Sequence, residues 1–66
     1  MNVTVNGEAR DVPAGLSVAG LLHQLGIPAD RVAVERNLAI LPRARWDDTS
    51  VEPGDRYEIV QFVGGG

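Results

Sequence analysis

Sixty-six residues carrying nine acidic and six basic side chains, a formal charge of −3, make one small domain at most, and one without the basic face that nucleic acid needs. There is no cysteine, hence no disulfide and no thiolate metal site, and the lone His23 has no second histidine to share a metal with. No apolar run approaches the roughly 20 residues that span a bilayer, so no membrane role is expected.

Asn2-Val3-Thr4-Val5 alternates polar and apolar, and Asn6-Gly7 is a strong hairpin signal, which predicts strands over about 2–6 and 8–12. The register is ambiguous. A two-residue turn sets Val5 opposite Glu8 and Val3 opposite Arg10, placing charges on the valine face. A bulge or longer turn would bring Ala9 inward instead.

Pro13-Ala14-Gly15 breaks the strand. A helix over about 18–25 follows, with Ser17 as N-cap and Leu16 placed to staple onto Leu21. Val18, Leu21, Leu22 and Leu25 fall at i, i+3, i+4 and i+7, one apolar stripe. Gly26 stands where a left-handed residue ends a helix, with Ile27 and Pro28 as closure and stop.

Val32-Ala33-Val34-Glu35 predicts a third strand, Asn37 a turn, and residues 39–41 a short fourth strand that Pro42 ends. The segment to Trp46 is expected to be irregular or 3₁₀, with Trp46 folded onto the domain. Asp47-Asp48-Thr49-Ser50 is a polar loop and Glu52-Pro53-Gly54-Asp55 a turn. Arg56 to Val63 predicts the last strand, with Tyr57 and Ile59 on one face and Val60 and Phe62 on the other. Its apolar density places it centrally, beside the first strand. With one main helix packed on one face of a small mixed α+β sheet, Val60, Phe62 and Val63 become a docking-patch expectation.

Gly64-Gly65-Gly66 carries no side chain and cannot belong to a stable element, so a domain over 1–63 with a flexible C-terminal tail over 64–66 is expected. A thread without Cβ atoms, ending in an α-carboxylate, can enter an enzyme channel too narrow for a bulkier terminus. Other candidates have plainer readings. His23, off the helix stripe, and Arg43 and Arg45 are expected to be solvated, and Asp47 and Asp48 are too few ligands for a metal. An enzyme is not expected, since so small a core cannot easily enclose a pocket of on the order of several hundred Å³. Without a signal-peptide pattern, the cytoplasm is the expected compartment.

Four pieces in order carry a family resemblance: Val3-Thr4-Val5-Asn6-Gly7-Glu8, Val32-Ala33-Val34-Glu35-Arg36-Asn37, Ile40-Leu41-Pro42-Arg43-Ala44-Arg45-Trp46, and Gly54-Asp55-Arg56-Tyr57-Glu58-Ile59-Val60 leading to the glycines. Together they resemble the ThiS family, the sulfur carriers of thiamine biosynthesis, over almost the whole length. The resemblance implies a β-grasp, ubiquitin-like fold. It also implies a modified Gly66, adenylated by an E1-like (ThiF-like) enzyme using ATP and Mg²⁺ and then converted to a thiocarboxylate. The sulfur would come from a cysteine desulfurase or another donor and pass to a thiazole synthase (ThiG-like). On this resemblance the chain binds no cofactor, has no catalytic side chain, and meets partners through Val60, Phe62, Val63, Gly64, Gly65 and Gly66. A molybdopterin-synthase small-subunit type of carrier and a ubiquitin-like protein modifier share the fold and tail. The absence of a Pro-Pro pair before the tail favours the thiamine carrier.

Overall fold

A computed structural model describes residues 1–62, so Val63 and the predicted tail over 64–66 lie outside the described residues. The first hairpin pairs β1 (Asn2–Val5) with β2 (Glu8–Asp11). Its register is Val5↔Glu8 and Val3↔Arg10, which settles the ambiguity in favour of the two-residue turn. Asn6 and Gly7 sit at φ 50° and 82°, the doubly left-handed turn whose twist matches that of the strands. Ala9 does not turn into the core. All four β2 residues are exposed, because β2 is an edge strand beyond the helix's cover, and Glu8 and Arg10 pair there at 3.4 Å.

The helix α1 (Val18–Gln24) begins where Ser17 Oγ accepts the Gly20 N–H at 3.0 Å, with Leu16 packed beside the core. It ends one residue earlier than the spacing predicts, with Leu25 as C-cap. Gly26, at φ 72°, donates to the His23 carbonyl, and Ile27 donates to that of Leu22. These are the two bonds of a Schellman cap. A 3₁₀ turn (Ala29–Arg31) leads into β3 (Val32–Arg36), which pairs antiparallel with β4 (Ala39–Leu41). A second 3₁₀ turn (Arg43–Arg45) brings Trp46 down so that its indole N–H donates to the Leu41 carbonyl at 3.0 Å. Trp46 is buried, as expected of a lid over the core.

The last strand, β5 (Arg56–Gln61), is central: the sheet order is β2-β1-β5-β3-β4. It runs parallel to β1 and antiparallel to β3, with Val5↔Tyr57 and Val34↔Ile59 in register. Val3, Val5, Val32, Val34 and Tyr57 form the core with Val18, Leu21 and Leu22 of α1, closed by Val12, Trp46 and Val51. Among the described residues the opposite face of the sheet carries no helix. One amphipathic helix of two turns has a stripe wide enough for only one face.

Candidate functional site

Alternation along β5 sends Tyr57 into the core and Val60 and Phe62 to the helix-free face, where they are 61% and 56% exposed. Packing into the core is therefore excluded for both. Val63, Gly64, Gly65 and Gly66 lie outside the described residues. Register extends the patch. Val60 pairs with Ala33, and Glu35 pairs with Glu58 on one side and with Ile40 on the other. Partners in register share a face, so the helix-free face presents Ala33, Ile40, Val60 and Phe62 around two adjacent glutamates.

Ile40, 78% exposed, was not among the residues singled out from the sequence. Alternation in a three-residue strand is too short a signal, and only the pairing with β3 shows which way it points. Leu38, 89% exposed, sits at the tip of the β3–β4 hairpin at φ 72°, beside Asn37 at φ 51°. A branched side chain is strained in this region, which favours Gly or Asn.

The start of β5 is held by a polar network under the hairpin tip. Asp55 is buried and takes four hydrogen bonds: the Glu52 N–H at 3.0 Å, Tyr57 Oη at 2.8 Å, Arg36 Nε at 3.0 Å and Asn37 Nδ2 at 3.1 Å. Burial pushes its carboxyl upward, but these donors outweigh burial and hold it below the ordinary aspartate value. Burial and the bond to Asp55 push the Tyr57 phenol up to about 12. The Arg36 guanidinium is raised by its contact with Tyr57 and by Asp55, against the opposing effect of burial. Asn37 also accepts the Arg56 N–H at 3.0 Å. The network fixes the 52–55 turn, the hairpin tip and the root of β5 together, and so orients the strand that leads to the glycines.

His23, Arg43, Arg45, Asp47 and Asp48 are exposed, and the Arg43 guanidinium lies 5.0 Å from the centre of the Trp46 ring. Among the described residues no three His, Cys, Asp or Glu side chains gather as metal ligands. Among the described residues no helix is long and apolar enough to cross a membrane.

A mixed five-stranded sheet with the last strand central, parallel to the first and crossed by one helix, is the β-grasp fold of ubiquitin-like proteins. The family follows from comparison with known proteins. The model of the ThiS family matches residues 3–66, and the chain belongs to that family. A crystal structure of the thiamine biosynthesis protein ThiS from Geobacter metallireducens is similar at a TM-score of 0.85, with 42% identity over 100% of both chains. The sulfur carrier protein ThiS of Escherichia coli is 33% identical over 66 residues, again 100% of both. A thiazole synthase from Paramagnetospirillum magneticum is 46% identical over the whole of this chain, yet the chain spans only 20% of that protein's length. In that relative a stretch similar to this domain is joined to a much longer polypeptide.

Proposed function

We infer that this chain is a sulfur carrier for formation of the thiazole of thiamine, working through a carboxylate at Gly66. The observation that supports this most is the family match, which runs through the glycines to residue 66 on a β-grasp domain. A carboxylate carbon is a poor electrophile, because charge and resonance protect it. In this reading an E1-like enzyme joins the Gly66 carboxylate to the α-phosphorus of ATP, with Mg²⁺ and loss of pyrophosphate, giving an acyl-adenylate. The terminal sulfur of a persulfide attacks the acyl carbon and expels AMP. A thiol then attacks the donor's sulfur of the resulting acyl disulfide, losing its proton and forming a new disulfide with the donor as the original S–S bond breaks, and the thiocarboxylate leaves. One hard substitution becomes a series of activated ones.

The carrier is a cosubstrate here, with no catalytic side chain and no bound cofactor. Its activation needs ATP, which suits the cytoplasm. Thiazole synthase is the acceptor, in keeping with relatives of that name that contain a similar stretch. Val60 and Phe62, with Ile40 on the same sheet face and Val63 next in sequence, form the docking patch that brings Gly64, Gly65 and Gly66 to the enzymes. Like charges directly opposite in a sheet are unfavourable, so Glu35 and Glu58 invite a basic partner group.

The test is intact-protein mass spectrometry after incubation with ATP, the E1-like enzyme, a cysteine desulfurase and cysteine. The expected result is replacement of one oxygen by sulfur, located on the Gly66 peptide. An unchanged mass with a demonstrably active enzyme set would overturn the reading.

A further inference from the structure

The ladder between β1 and β5 stops early, and the way it stops leaves one strand edge open. The Thr4 N–H donates to the Asp55 carbonyl at 2.9 Å and the Asn6 N–H to that of Tyr57 at 2.8 Å, the regular rungs of a parallel pair. The next rung would need the main-chain carbonyl of Asn6 opposite the Ile59 N–H. At Asn6 the chain turns away instead, and the side-chain carboxamide takes that place. Its Oδ1 accepts from the Ile59 N–H at 2.7 Å, and its Nδ2 donates to the Ile59 carbonyl at 3.2 Å.

Two residues further along, no described residue plays this part. On the β3 side, the Asn37 N–H donates to the Arg56 carbonyl at 2.8 Å and the Phe62 N–H to that of Arg31 at 2.7 Å, so the even-numbered residues of β5 turn their peptide groups toward β3. The odd-numbered ones, Tyr57, Ile59 and Gln61, turn theirs toward β1. Gln61 is exposed, and β1 has already left the sheet at its level. Its N–H and C=O face outward with no hydrogen-bond partner among the described residues. An unpaired N–H and C=O on a strand edge is a template for another strand.

We propose that the β1-facing edge of β5 at Gln61 takes an extended segment of the adenylating enzyme as an added strand. This rests on the sulfur-carrier reading, and it names how the carrier is gripped. Three glycines follow Val63, and a glycine thread offers an enzyme only main-chain N–H and C=O groups to recognise. A strand that begins pairing at Gln61 can continue along such a thread with the same kind of bond. Main-chain pairing of this type gives affinity without requiring side chains. Asn6 sets where the enzyme's strand must start, because its carboxamide already fills the rung at Ile59.

The test is amide hydrogen exchange, by NMR, of the full chain free and bound to the adenylating enzyme with ATP. The Gln61 N–H is expected to exchange freely in the free carrier and roughly tenfold or more slowly in the complex. Gln61→Pro, which removes the outward N–H and also fixes φ at this position, is expected to weaken binding about tenfold, while Gln61→Ala leaves it unchanged. The melting temperature of each variant checks that the fold survives. A complex that forms with the Gln61 N–H still exchanging freely overturns the proposal. So does protection that grows with carrier concentration in the absence of enzyme, which would mean that a second copy occupies the edge. If sulfur loads at Gly66 while Gln61 stays unprotected, the edge proposal alone fails. If the enzyme neither binds nor adenylates the chain, the sulfur-carrier reading fails and the edge proposal with it.

Discussion

The phenol of Tyr57 donates to Oδ2 of Asp55 at 2.8 Å, two residues back along the chain and under the β3–β4 hairpin tip. That oxygen also receives Arg36 Nε and the Glu52 N–H. The bond joins the floor of the core to the polar network that roots β5. Removing the carboxylate would leave the Tyr57 hydroxyl and the Asn37 amide without this acceptor, and Arg36 with only its longer bonds to Tyr57 Oη and the Ser50 carbonyl, both at 3.4 Å. Asp55→Ala is expected to cost about 2–4 kcal/mol and to lower Tm by roughly 10–25 °C, measured by circular dichroism. The folded-state pKa of Asp55 is depressed, so its contribution is present above the unfolded value of about 3.9 and is lost as pH falls through the folded value. Asp55→Asn should flatten the stability–pH curve in that acid range. An unchanged slope would mean that other carboxylates govern acid unfolding.

Tyr57 works at the other end of the pH scale. Its pKa is raised to about 12 in the fold, above the ordinary tyrosine value of about 10. Its neutral form therefore contributes stability below pH about 10, and that contribution falls away as pH rises toward about 12. Phenolate absorbance should show the tyrosine titrating late in the native protein, and Tyr57→Phe should remove the alkaline slope in denaturant unfolding.

Leu38 is strained at φ 72° and buries nothing, being 89% exposed. Leu38→Gly should stabilise the protein by about 1 kcal/mol, a rise in Tm of roughly 4–8 °C. A fall in Tm would show that the tip residue packs on something its exposure does not reveal.

The Glu35–Glu58 pair makes a different forecast. Glu58→Lys replaces a like-charge pair with an opposite one and should stabilise the isolated domain by roughly 0.2–1 kcal/mol. The same change should weaken binding to the proposed adenylating enzyme about tenfold, mainly through slower association at low salt. Calorimetric melting and stopped-flow binding on one sample separate the two effects. Equal binding by wild type and variant would remove Glu58 from the docking face.

Much of this fold follows from neighbours within a few residues of one another. Ser17 and Gly20 start the helix, and Gly26 and Ile27 end it, by bonds between residues three to five apart. Asn6-Gly7 sets the first turn, and alternation in β5 already separates Tyr57 from Val60 and Phe62. Such features depend on side-chain size, φ preference and period, all of which can be read along the chain.

The tertiary structure decided whatever depends on which strand lies beside which. Charges opposite Val3 and Val5 are harmless because β2 is an edge strand outside the helix's cover, which the hairpin alone does not reveal. Asp55 looks like an ordinary turn residue until Arg36 and Asn37, 19 and 18 positions away, close on it. Ile40 joins the helix-free face only through β3, and Asn6 meets Ile59 across 53 residues. Local chemistry chooses a conformation for each segment, but a hydrogen bond between distant segments exists only once sheet order has fixed their distance.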